Sequence, residues 1–474
     1  MNDPLKHKLF TIYGQILHKK VLMDAWKSVK ANKGCAGIDK MSIKKFSEHE
    51  DEYIDELLIE LKNKTYKPSP VKRVYIKKKN GKLRPLGIPT IKDRIVQQAI
   101  VMRVQGFFEK NVFHQNSCGF RPGMGTQDAI YKVANRLNEG FRYIYDFDIK
   151  GFFDNIPHKK LMKVLNKYIA DGTVLDIIWK SLKAGYMEDR IKYETSKGTV
   201  QGGVISPLCA NIYLNELDWE LHKAEIESVR YADDSLALCR TKEDLERAIQ
   251  VVHRVLDELG LELSEEKTYV IDFDKDDFDY LGFTFGHWRL NKDGERYFTY
   301  SPSKSSIKKF KSDIKAKTCK TFSHSFEEWV SILNPILRGK FNYLLIPHKI
   351  LRDCRVFAAK AGKVFRGKAI FRPNSLDGYV RGRLRVNFAN RGKKSAKIKD
   401  GFMLHVKYGI DFFVSTIGLF TGGLELYSWC HKDITPEEYV SILRVRRSKS
   451  KSNSLLTPEQ WAKRREFWNY AFSK

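Results

Sequence analysis

The 474-residue sequence has seven cysteines, and no two of them stand close enough to make a CxxC pair. The odd count and the spacing exclude both a disulfide framework and a zinc knuckle. A mean hydropathy of −0.44 with 30% charged residues excludes an integral membrane protein, and 42% hydrophobic residues exclude a disordered tail. The opening segment MNDPLKHKLFTIYGQILHKK lacks an unbroken apolar stretch and a small-residue cleavage site. No secretory signal is expected, and a bacterial cytoplasm or an organelle matrix is the natural compartment. Acidic residues are also scarce, 57 against 85 Lys+Arg, for a net charge of +28. The shortage is concentrated in residues 301–474, which hold 36 Lys+Arg against 13 Asp+Glu. A basic surface can serve solubility alone, but a surplus of this density favours a polyanion, and nucleic acid is the expected partner.

Residues 5–63 carry helical periodicity broken by the glycine-containing loop at 32–39. The runs VKRVYIKKK and KLRPLGIP flank Asn80-Gly81, a strong hairpin signal, and both strands carry cations. Helices are expected at 90–110, around 158–170, after Pro207 and from Thr241. Strands are expected at 142–149 and in the hairpin 229–239. This order predicts an α+β chain rather than a doubly wound sheet. From Ser303 strands nearly vanish and basic helices follow, with a polar linker at 446–454 and a last helix at 457–471. No internal repeat is present.

The strongest chemical signal is Tyr231-Ala232-Asp233-Asp234, two adjacent carboxylates at a tight turn between apolar strands. Such a pair is a solvated turn or, when embedded in apolar strands, a site for a hard cation such as Mg²⁺. A second acidic strand end, YDFDIKGFFDNI, offers Asp146, Asp148 and Asp154, with Asp148 in alternation with apolar neighbours. Alone, Asp148 also fits a buried, hydrogen-bonded aspartate. Three carboxylates from two strands suit two Mg²⁺ ions and nucleotidyl transfer, one ion activating a 3′ hydroxyl and the other neutralising a triphosphate.

FDIKGFFDNI, QGGVISPLCANIYLNELD, RYADD, LELSEEKT and YLGF resemble, in order and spacing, the palm motifs of reverse transcriptases. NKGCAGID, LRPLGIPTIKDRIVQQAI and SCGFRPGMGTQDAI are similar to the N-terminal extension and fingers motifs of the group II intron-encoded branch. LNPILRGKFNY and DFFVSTIGLFTGG are similar to its thumb and maturase region. The resemblance covers roughly residues 20–425. It implies a right-hand polymerase with an N-terminal helical extension (1–65), fingers and a palm with an antiparallel sheet (66–300), a helical thumb/maturase region (301–400) and a basic C-terminal region (401–474).

The same resemblance implies that Asp148, Asp233 and Asp234 bind the catalytic metals and that Ile149 offers its carbonyl to the nucleotide metal. Phe153 then lies under the incoming sugar and rejects a 2′ hydroxyl; an ordinary core aromatic is the lesser alternative. Lys78 and Arg84 match the triphosphate clamp, with donors that phosphate prefers. Gln201 and Gly202 match the loop against the templating base pair. Lys267 matches a lysine that protonates pyrophosphate, although a salt bridge with Glu265 or Glu266 fits the sequence as well. Leu281, Gly282 and Phe283 match the grip on the primer. Arg381, Arg383 and Arg385 are expected to contact RNA phosphates.

The implied activity is RNA-directed DNA polymerisation from dNTPs on an RNA template with a DNA or RNA primer. Binding of a cognate structured RNA for intron splicing or mobility is implied with it. The paired cysteines and clustered histidines of an HNH endonuclease are absent, so no DNA-cleaving domain is expected. Residues beyond about Trp429 match no motif. The rivals are a domesticated antiphage-defence reverse transcriptase and an RNA-binding splicing cofactor with a dispensable polymerase site.

Overall fold

The computed structural model describes residues 8–77, 81, 83–319, 324–389, 410, 412–416, 418–430 and 434–441. Lys78, the tip of the Asn80-Gly81 hairpin apart from Gly81, and the expected linker and last helix lie outside these residues. The chain divides into two compact units, one of Met1–Ala129 with Phe141–Val270, the other of Ile130–Gly140 with Ile271–Lys474.

In the first unit, β1 (Val71–Lys77) and β2 (Leu83–Ile88) form the expected hairpin, in register from Lys72 opposite Ile88 to Lys77 opposite Leu83. The paired strands flank the segment 78–82, in which the sequence places the turn. β3 (Tyr143–Phe147) follows. β4 (Tyr186–Glu188) and β5 (Ile191–Tyr193) extend the first hairpin into a sheet of order β2-β1-β4-β5. The second sheet runs β6-β7-β3-β8, with β6 (Glu227–Tyr231), β7 (Asp234–Cys239) and β8 (Tyr269–Asp272). Its β6-β7-β3 portion is antiparallel.

Helices cover this sheet for local reasons. Lys242–Leu259 starts at a capping box of Thr241 and Asp244, ends at Gly260 with φ 69°, and buries Leu245, Ala248, Val252, Val255 and Leu259 at helical spacing. Ser206–Lys223, with Pro207 in its first turn, is buried nearly all round, including the polar Asn211, Asn215 and Asp218. A single core runs from the N-terminal helix Lys19–Ala31 through Ile91–Asn111 to these two helices.

The second unit holds β9 (Phe278–Tyr280), β10 (Phe283–Leu290), β11 (Arg296–Pro302) and the short β12 (Gly367–Ala369), in the order β12-β11-β10-β9. Helices Lys304–Lys317, Phe326–Leu344, Ile346–Lys360 and Asn374–Ala389 follow. Phe310, Ile314, Leu333, Leu337, Phe341 and Leu426 anchor their shared core. The expected excess of helix after Ser303 is present. No described helix is long and apolar enough to cross a membrane.

Candidate active site

Antiparallel register assembles the carboxylates. Tyr231 pairs with Asp234, so β6 and β7 are joined by Ala232-Asp233 alone, and Ala232 takes a left-handed φ of 61°. Asp146 stands opposite Leu236, two residues along β7 from Asp234. Residues opposite one another share a face and side chains alternate, so Asp146, Asp148 and Asp234 project to one side. Beyond β3 the chain keeps pairing: Ser264 donates its N–H to the Asp148 carbonyl at 2.8 Å, and Lys150 donates to Glu262 at 2.8 Å. These bonds flank the Ile149–Leu263 bridge and do not use the Ile149 carbonyl. They also bring the turn Glu265–Lys267 beside Asp148, and the Lys267 ammonium closes on Oδ2 of Asp148. Its partner is therefore Asp148 and neither neighbouring glutamate.

The cluster is electrostatically loaded. Burial, then the charges of Asp234 and Asp148, push Asp146 up to about 7. Asp234 reaches solvent, yet the protein mass around it, then Asp233 and Asp148, push it up to about 6 while Lys267 opposes. Asp233 is raised by burial and by Asp148, and drawn back by Arg84 and Lys267. Lys267 is itself raised, chiefly by its bond to Asp148. Clustered carboxylates that hold their protons toward neutrality have the hard-oxygen donor chemistry of a divalent-cation site. As they stand, no three His, Cys, Asp or Glu side chains among the described residues are disposed to hold a metal ion. Lys267 lies on an Asp148 oxygen that such an ion would need, so the donor set fits once that ammonium withdraws.

The hairpin that carries Asp233 is held from behind by Arg230, 1% exposed. Its Nε donates to both Asp218 oxygens at 2.8 and 3.1 Å and one Nη adds a bond at 2.5 Å. The other Nη donates at 3.0 Å to Asn211 Oδ1 and to the Ala232 carbonyl, inside the turn itself. Residues 116–118 lie along β6, with Arg230 N–H donating to Asn116 at 3.0 Å and Cys118 N–H to the Arg230 carbonyl at 2.7 Å.

The other expected residues have varied surroundings. Arg84 is exposed on β2, opposite Ile76, and acts on Asp233 through its charge. Phe153 is half-buried, edge-on to Phe120 at 6.1 Å and to Phe152 at 5.4 Å. Gln201 donates its Nε2 to Asp154 at 3.0 Å, which keeps Asp154 with that loop. Asp146, not Asp154, shares the electrostatics of the cluster; its two-residue spacing from Asp148 was the available signal. Gly202, at φ 112°, would bring a Cβ within 2.6 Å of the Gly87 carbonyl, so the close approach its missing side chain allows is to β2. Leu281, Gly282 and Phe283 belong to the second unit. Phe283 is fully buried against Tyr343 at 5.2 Å. Leu281 and Gly282 form the turn, whose carbonyls accept from Tyr343 and Ser306.

Residues 76–285 match the reverse transcriptase (RNA-dependent DNA polymerase) family, and the carboxylate cluster lies wholly within that span. This segment is a reverse transcriptase domain, and it is similar to group II intron-encoded proteins. It is 42% identical over 215 residues to the group II intron-encoded protein LtrA of Lactococcus lactis subsp. cremoris, covering 44% of this chain and 35% of that protein. It is 43% identical over 168 residues to protein YkfC of Escherichia coli strain K12, covering 35% of this chain and 44% of that one. A 91 kDa protein in the cob intron of Schizosaccharomyces pombe is 34% identical over 211 residues, 43% of this chain and 25% of that one. The chain thus spans less than half the length of each of these relatives.

Proposed function

We propose that the chain is an RNA-directed DNA polymerase that also binds a cognate structured RNA in intron splicing or mobility, in a bacterial cytoplasm or organelle matrix. The observation that carries this reading is the convergence of Asp146, Asp148, Asp233, Asp234 and Lys267 at the end of a sheet whose span matches the reverse transcriptase family.

In this reading Asp148, Asp233 and Asp234 hold two Mg²⁺ ions, with the Ile149 carbonyl as a further oxygen. Bound divalent cations supply Lewis acidity toward the primer 3′ hydroxyl and charge neutralisation of the triphosphate. Arg84, with Lys78, binds the phosphates and orients them toward Asp233. Phe153 bounds the sugar, and the 201–202 loop meets the templating base. Lys267, released from Asp148, holds a proton at Nζ for the departing pyrophosphate. Leu281 and Gly282 present the backbone turn that grips the primer. Exposed lysines along Lys304–Lys317 (Lys304, Lys308, Lys309, Lys311, Lys315 and Lys317) support the RNA-binding part of the proposal. The test is extension of oligo(dT) on poly(rA) with dTTP by the purified chain. Product that requires Mg²⁺ and disappears with EDTA is expected; no product at any divalent concentration overturns the reading.

A further inference from the structure

Phe120 is an aromatic residue held at a left-handed φ of 57°, a conformation that costs a side chain with a Cβ and that glycine adopts freely. Both of its neighbours are fixed. A Cβ on Gly119 would stand 2.3 Å from the Ala232 amide nitrogen, so this backbone is packed directly onto the Asp233 hairpin. Asn211 Nδ2 holds the Gly119 carbonyl at 2.7 Å. On the other side Arg121 donates its Nε to Glu109 at 2.7 Å and an Nη to the carbonyls of His114 and Ser117, each at 2.8 Å. The strain at Phe120 is thus imposed by anchors on both sides, the pattern found where a side chain is aimed for a purpose. What it aims is a ring 48% exposed, standing edge-on to Phe153 at 6.1 Å and 84°.

We propose that Phe120 is a second specificity-determining residue of the nucleotide pocket, an apolar side wall against the sugar edge of an incoming nucleoside triphosphate. The proposal rests on the polymerase reading above, in which Phe153 bounds that sugar. Two rings nearly perpendicular make a corner. A deoxyribose fits an apolar corner, whereas a ribose brings a hydroxyl that loses water there and meets no hydrogen-bond partner on either ring. The wall therefore discriminates by desolvation as well as by bulk, and its position relative to Asp233 is fixed by the Gly119–Ala232 contact.

The experiment is primer extension by the full chain on an RNA template, with kcat/KM measured for dATP and ATP. The proteins are wild type, Phe120→Ala, Phe153→Ala and the double variant. Phe120→Ala is expected to lower the dATP/ATP ratio by about 5-fold or more, the scale of one removed steric contact. The double variant should lose less than the product of the single losses, because the two rings share one corner. Phe120→Gly should lose selectivity while melting no lower than wild type, because it relieves the φ; a ring that only supports the fold would show the reverse. If Phe120→Ala does not fold, Phe120→Leu, which shortens the wall, serves with the same ratio. An unchanged ratio at position 120 beside a reduced ratio in Phe153→Ala overturns the proposal and leaves the polymerase reading standing. A ratio unchanged in both means that Phe153 does not bound the sugar, and the proposal falls with that assignment. An equal rise in KM for dATP and ATP also overturns it.

Discussion

Replacing Arg230 by Met tests whether the buried guanidinium holds the Ala232-Asp233 turn or merely fills the core. Arg230 is 1% exposed and the Asp218 side chain 3%, so the variant strands a carboxylate with little access to water. Breaking a buried pair from one side costs about 3–5 kcal/mol, most of it the unpaired charge rather than the lost attraction. Replacing both partners with apolar groups is often near neutral, so Arg230→Met with Asp218→Leu should recover most of that loss. The recovery should not extend to catalysis, because the bond from Arg230 to the Ala232 carbonyl at 3.0 Å has no substitute in the double variant. Urea unfolding gives the stabilities, and steady-state primer extension gives kcat and KM. The expected pattern is a single variant destabilised by about 3–5 kcal/mol and a double variant near wild type in stability but at least about 10-fold lower in kcat, with KM for the template-primer little changed. A single variant destabilised by less than about 1 kcal/mol refutes the burial argument. Full recovery of kcat in the double variant refutes the positioning role.

Gly119→Ala should push the Ala232 amide away from its own new Cβ and lower kcat while RNA binding persists; unchanged kcat would show that the 116–120 segment yields without moving the hairpin. Asp377 accepts from the Gly422 and Gly423 amides at 2.8 and 2.9 Å, and burial pushes it up to about 6. Its raised value means that its contribution to stability is greatest at low pH and is lost as pH rises through about 6, by up to roughly 3 kcal/mol at 1.36 per pH unit. Relative to wild type, Asp377→Asn should therefore lose less Tm between pH 5 and pH 7, and parallel profiles would refute this. Changing Lys308, Lys309 and Lys315 to Gln should reduce the log–log salt slope of RNA binding by about 2, at 0.7–0.9 per lost phosphate contact; an unaltered slope places this helix face off the RNA.

What was legible in the sequence was what local pattern encodes. Asp148, Asp233 and Asp234 follow from alternation and a two-residue turn, and the hairpins and capped helices from their turn and cap residues. The Lys267–Asp148 pair spans 119 residues, and no local rule chooses it over the adjacent glutamates. Arg230 reads as a surface charge in a strand until its partners Asp218 and Asn211 arrive from a helix. Gly202 signals a close approach without saying to what, and here the neighbour is Gly87. The surroundings of Arg383 and Arg385 in Asn374–Ala389 are hidden from local pattern for the same reason. Arg383 donates to the Thr318 hydroxyl and carbonyl, and Arg385 lies over the Phe413 ring at 5.3 Å, so both serve the second core. The β10–β11 hairpin is not among the expected strands, although Asp293-Gly294 in its turn announces it.

The most direct measurement is cDNA synthesis on poly(rA)/oligo(dT) by wild type, Asp148→Asn and Asp233→Asn, with RNA binding measured on the same preparations. Each substitution removes one charged oxygen donor and relieves carboxylate repulsion, so folding and RNA affinity should be retained while polymerisation is abolished. Near-normal cDNA synthesis by either variant would contradict the assignment of this carboxylate cluster as the polymerase centre.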